Sequence, residues 1–135
     1  MASTIRLELV TPERLLLSEE VAEVVAPGYE GEFGVLPGHT PLLAILNIGM
    51  LWYRKESTVK KIALGGGFAE VTHDRVVVLA DTAERADEID LARAQRARDR
   101  AEARLKELSM DDETYKKVYS ELQRALVRMA AGGGE

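Results

Sequence analysis

The chain contains no cysteine, and only 5% of its residues are aromatic. The first absence removes disulfides and thiolate metal sites, and two isolated histidines, His39 and His73, make a poor start on any other metal site. It also fits a reducing compartment. The second absence leaves core formation to aliphatic side chains. No apolar run reaches the roughly 18 residues that a membrane-spanning helix needs. The opening MASTIRLELVTPERLLL breaks each apolar stretch with a charge, so it does not read as a signal peptide. Bases are outnumbered by acids, 18 to 23, and a net charge of −5 disfavours indiscriminate binding to the nucleic-acid backbone. With 135 residues, 46% hydrophobic and 30% charged, what remains is one ordinary domain or a small domain with an appendage.

Glycine and proline are concentrated in one place. Residues 28–41, GYEGEFGVLPGHTP, set Gly31, Gly34, Gly38, Pro37 and Pro41 around Phe33, Val35 and Leu36. Glycine admits positive φ or close backbone approach and proline fixes φ, so the stretch reads as a rigid loop at one end of a β domain. It is not a phosphate cradle, which needs Lys and then Ser or Thr after the last glycine, nor a dinucleotide fingerprint, which needs a strand before it and a helix after it. Gly65-Gly66-Gly67 fails the same test, because Phe68-Ala69-Glu70-Val71 continues as a strand. A tight turn or bulge is the reading there.

Two halves follow different periods. Ile5, Leu7 and Leu9 alternate with Arg6, Glu8 and Val10, and residues 48–53 and 59–64 give further strands. Val76-Val77-Val78-Leu79-Ala80 is apolar without alternation, which predicts a strand covered on both faces. Short strands punctuated by turns predict an antiparallel β-sandwich or barrel. Beyond Thr82 the spacing becomes helical: Ala94, Ala97, Ala101, Leu105 and Leu108 form one stripe, and Tyr115, Val118, Leu122, Ala125 and Met129 another. Capping residues and acids at 108–113 predict an antiparallel helical hairpin, and the tail Gly132-Gly133-Gly134-Glu135 is expected to fray. Residues 1–82 carry 11 acids and 7 bases, whereas 83–135 carry 12 and 11, a far denser charge. The fold class is therefore α+β in two parts, a sandwich over 1–84 and a two-helix hairpin over 85–135.

The first stripe is mostly alanine. A buried methyl contributes about 0.8 kcal/mol against roughly 1.5–3 for a leucine, so this hairpin is predicted to be loosely held. Arg96, Arg100 and Arg104 recur every four residues beside Arg93 and Arg98, and Arg124 and Arg128 repeat the spacing later. Such crowding costs about 0.2–0.5 kcal/mol per pair. It describes either a solvated face laced with ion pairs or two cationic faces that a folded hairpin brings around a polyanion.

Together these segments resemble the epsilon subunit of F-type ATP synthases, called delta in mitochondria. The resemblance runs from Ile5 to Met129 and rests on PGYEGEFGVLPGHTPLL at 27–43, VTP at 10–12, GGFAEV at 66–71 and VLADTAERADEIDLARA at 78–94. Glu13 and Arg14 replace a glycine often found after VTP, and Gly65 stands where serine is common. The resemblance implies a ten-stranded sandwich, a hairpin, and a non-catalytic role on the central stalk, coupling proton flow to ATP synthesis. It implies partners as well: the gamma subunit, the ring of c subunits, and the alpha and beta subunits when the hairpin is extended and blocks ATP hydrolysis. Glu32 is then a neighbour of the c ring and His39 of gamma. The protein is placed at the cytoplasmic face of the bacterial inner membrane, peripheral and not inserted.

Some members bind regulatory ATP, with or without Mg, through a motif of the form IDxxRA. Ile89, Asp90, Arg93 and Ala94 match it, Glu84 matches the preceding acid, and Arg100, Arg124 and Arg128 match the associated arginines. No other cofactor is implied. The motif serves either this ligand or merely a helix cap at Asp90. Two alternatives complete the field: a stand-alone nucleotide-sensing module, and a small β-sandwich hydrolase using His39 and Glu32 as an acid-base pair.

Overall fold

In a computed structural model, residues 3–133 are described. Eight strands come first: β1 (Ile5–Val10), β2 (Leu15–Val21), β3 (Glu23–Gly28), β4 (Gly31–Val35), β5 (Leu42–Lys55), β6 (Thr58–Val71), β7 (Arg75–Ala80) and β8 (Ala83–Arg85). A 3-10 turn, Ala86–Glu88, leads to helices α1 (Leu91–Leu105) and α2 (Glu113–Gly133). The strands run in the order β2-β1-β7-β6-β5-β3-β4, with β8 paired to β6.

The resemblance implied ten strands; the described residues make eight, and the two 14-residue strands account for the difference. Residues 42–46 of β5 pair with 67–71 of β6 beside β7 and β1, whereas residues 48–55 pair with 58–65 beside β3 and β8. Each long strand thus serves both layers, and it changes layer at the glycine triplet. Gly66 and Gly67 have φ of +98° and +143°, and a Cβ on Gly67 would fall 2.1 Å from the Leu79 carbonyl oxygen. Only glycine fits that crossing. Gly65 has its own reason, since a Cβ there would meet the Thr82 hydroxyl.

Three further expectations need correction. The sandwich is not wholly antiparallel, because β1 and β7 pair in parallel. These two strands lie far apart in sequence, so no hairpin dictates their relative direction. Residues 31–35 of the glycine-rich stretch are a strand rather than a loop, with Gly31 the last residue of a tight β3–β4 turn and Gly34 in ordinary β conformation opposite Val25. The loop proper is confined to 36–41, where the Gly38 N–H donates to the His73 carbonyl. Finally, β7 is covered on one face only: Val76, Val78 and Ala80 are buried while Leu79 is exposed.

The core is aliphatic as expected, with Ile5, Leu7, Leu9, Leu51, Ile62, Leu64, Val76 and Val78 all essentially inaccessible. At roughly 1.5–3 kcal/mol for each large side chain, this cluster dominates the stability. Tyr53 is the one fully enclosed aromatic ring of that cluster among the described residues, with Phe33 packed against its edge, and the Tyr53 hydroxyl donates to Glu19 at 3.1 Å. Burial and that carboxylate push the phenol up to about 12. The hairpin is built differently. Its buried residues are Ala94 and Ala101 on α1 and Val118, Ala125 and Ala131 on α2. Helix α2 packs on β5 and β6, and α1 packs on α2, so α1 is the outermost element.

Candidate functional site

The IDLARA motif lies where the sandwich, the linker and both helices meet. Asp90 ends the linker in an extended conformation, and its Oδ1 accepts the Arg93 N–H at 3.0 Å, starting α1. Satisfying an orphan N–H at the positive end of a helix is a common use of aspartate. Ile89 packs toward the far end of α2, where a Cβ on Gly132 would approach its Cγ2 to 2.9 Å. Gly132 and Gly133 therefore continue the helix instead of fraying, since the missing side chain admits the motif; Gly134 and Glu135 lie outside the described residues.

Beside the motif is a cavity of about 300 Å³ lined by Glu84, Glu88, Asp90, Arg93, Ala94 and Arg128. Glu84 comes from β8, Arg128 from α2, and the rest from the linker and the first turn of α1. Arg128 Nε lies 3.8 Å from Glu84 Oε1, an ion pair bridging α2 and the sandwich. A smaller adjoining crevice is lined by Glu84, Arg124 and Arg128 together with residues of β6 and Thr82. Five of the eight sequence-predicted residues thus share one cavity, and Arg124 borders it. Ile89 supports it from the helix interface. Arg100 does not join them: it sits exposed on α1, outside the lining.

The arrangement suits a ligand with polar and anionic parts. Guanidinium groups present planar forks to phosphate oxygens, and carboxylates accept from hydroxyl or amino groups. Among the described residues, Arg93 and Arg124 form no side-chain ion pair, so their donors are not committed within the chain. On α1, Asp99 pairs with its neighbour Arg98 at 3.0 Å, and Glu102 meets Arg98 at 3.9 Å. Arg104 reaches Glu121 of α2 at 4.0 Å.

Two residues were missed in the sequence. Glu88 lines the cavity, and Arg14, from the β1–β2 turn, places Nη2 at 3.0 and 3.1 Å from its two carboxylate oxygens. The sequence signal for Arg14 was its departure from the glycine usual at that turn.

Glu32 stands exposed on edge strand β4, opposite Pro27, beside a surface hollow that also includes Tyr29, Phe33 and Leu43. His39 lies in the 36–41 loop, where its Nδ1 contacts the Thr40 carbonyl and its N–H donates to Leu36. No hydrogen bond links Glu32 to His39 among the described residues, and they belong to different elements. On the outer face of the first layer, Ile45, Phe68 and Leu79 are neighbours in register across β5, β6 and β7, and all are more than half exposed. No helix among the described residues is long and apolar enough to cross a membrane.

Comparison with known proteins agrees over the whole chain. The family model for the ATP synthase delta/epsilon chain β-sandwich domain matches residues 4–86, and that for its long α-helix domain matches 87–133. The chain is 54% identical over 133 residues to ATP synthase epsilon chain 2 of Syntrophotalea carbinolica, covering 98% of this chain and 96% of that one. It is 52% identical to the ATP synthase epsilon chain of Geobacter sulfurreducens with the same coverage, 98% and 96%. Among solved structures it resembles a chain of the Euglena gracilis mitochondrial ATP synthase OSCP/F1/c-ring assembly, with a TM-score of 0.81 and 28% identity over 95% of this chain and 81% of that one. A chain of the Tetrahymena thermophila central stalk and c-ring shares the fold, with a TM-score of 0.67 at 16% identity over 96% and 97% of the two chains. The chain belongs to the ATP synthase delta/epsilon chain family. It is accordingly a non-catalytic subunit of the central stalk, and the hydrolase alternative is set aside.

Proposed function

We propose that this subunit couples rotor and catalytic head through two parts with separate duties. The sandwich grips gamma and the c ring. The hairpin is a nucleotide-dependent brake, inhibiting ATP hydrolysis when it extends toward the alpha and beta subunits and held folded when ATP binds. The cavity formed by Glu84, Asp90, Arg93, Ala94 and Arg128, with Arg124 beside it, is the observation that carries the reading. Because its walls come from the sandwich and from both helices, it exists only in the folded pose. A ligand that binds only that pose shifts the equilibrium by its differential affinity and no more.

In this reading Arg93, Arg124 and Arg128 meet the phosphates, while Glu84 and Asp90 accept from the nucleoside. Arg100 reaches the ligand only if the α1 surface adjusts. The exposed row Ile45, Phe68 and Leu79 supports a partner face on the sandwich, because a face apolar across three adjacent strands needs cover in the assembly. Gamma is that partner, with His39 nearby. Glu32, at the β3–β4 tip, faces the c ring, and the subunit rests peripherally at the cytoplasmic face of the bacterial inner membrane.

The test compares ATP hydrolysis by the assembled enzyme carrying either the full chain or one ending at Arg85, over rising ATP. The shortened chain is expected to give faster hydrolysis, with the gap closing as ATP rises. Equal rates would remove the brake, and a gap indifferent to ATP would remove the sensing.

A further inference from the structure

The lining of the nucleotide cavity poses an electrostatic difficulty. Three carboxylates, Glu84, Glu88 and Asp90, face two guanidiniums, Arg93 and Arg128. A surplus of negative charge repels a polyphosphate unless each carboxylate is compensated. Glu84 meets Arg128, and Asp90 is engaged with the positive end of α1. Glu88 has no partner among the lining arginines. Its compensation comes from outside the cavity: Arg14, 74 residues earlier, sets Nη2 against both carboxylate oxygens, and the Arg85 N–H donates to Glu88 Oε1 at 3.1 Å.

We propose that Arg14 is a positioning residue for the nucleotide site, holding and neutralising the Glu88 carboxylate from the β1–β2 turn so that Arg93 and Arg124 keep their charge for the phosphates. The inference rests on the nucleotide reading of the cavity. Arg14 is not itself part of the lining. Its side chain and the Arg85 N–H together hold the Glu88 carboxyl below the ordinary carboxylate range, so both contacts favour the charged form. The contact also ties the linker to the sandwich at the β1–β2 turn.

Calorimetry with ATP and Mg on the full chain tests this, using wild type, Arg14→Gln, Arg14→Lys and the double variant Arg14→Gln/Glu88→Gln. Amide exchange of each nucleotide-free chain reports whether the hairpin remains docked. With one uncompensated charge several ångströms from the phosphates, Arg14→Gln is expected to weaken binding about five- to tenfold. Arg14→Lys should keep most of the affinity. The double variant should return to within about twofold of wild type, because the charge that needed balancing is gone. Wild-type affinity in Arg14→Gln would overturn this inference while leaving the nucleotide site standing. Equal weakness in the single and double variants would also overturn it, since Arg14 would then act only by holding the linker. Absence of binding heat in wild type at millimolar ATP would remove the nucleotide reading and this inference with it.

Discussion

The sandwich and the hairpin bury apolar surface in opposite ways. In the sandwich, leucines, isoleucines and valines from β1, β5, β6 and β7 interlock in one cluster with accessibilities near zero. In the hairpin, four of the five fully enclosed side chains are alanines, and Val118 is the fifth. Small residues let the helices approach closely, but each contributes a methyl where the sandwich contributes a branched side chain. The difference separates a densely packed platform from an arm held by far less apolar burial. Polar links, Arg128 to Glu84 and Arg14 to Glu88, also tie the helical part and its linker to the sandwich. Both are half-exposed ion pairs of the kind worth little alone.

Substitutions can break that comparison in either half. Leu51→Ala opens a cavity in the rigid part and should lower global stability by about 2–5 kcal/mol in urea unfolding. A loss no larger than that of a surface substitution would contradict the view that the sandwich supplies most of the stability. Ala125→Leu overpacks the helix pair and should cost about 1–3 kcal/mol, seen as faster amide exchange in α1 and α2 with the β-strands unaffected. If that substitution destabilised the strands equally, the two halves would form one cooperative unit.

The legibility of each half follows from its chemistry. The alternation in β1 and the helical stripes could be read directly, because one buried face imposes a period on the residues. The antiparallel hairpin followed from local chemistry, with Asp112 accepting the Thr114 N–H at 2.8 Å ahead of α2, whereas the cap at Asp90 was one of two roles open to the motif. Strand β4 was hidden because Gly31 and Gly34 looked like loop residues, and β2 because Ser18, Glu19 and Glu20 follow its leucines. β7 misled because Leu79 is apolar although it is exposed. At the site, the motif residues were found from their resemblance to related chains, whereas Arg14 and Glu88 were missed because their contact spans the whole sandwich sequence. Long-range pairing of charges leaves no period to detect.

Amide exchange on the full chain, with and without ATP and Mg, measures the central claim most directly. Without ligand, the amides of α1 and α2 should exchange far faster than those of β1, β5, β6 and β7, and saturating ATP should slow the helices while leaving the strands unchanged. Helices as protected as the strands, and indifferent to ATP, would contradict the account.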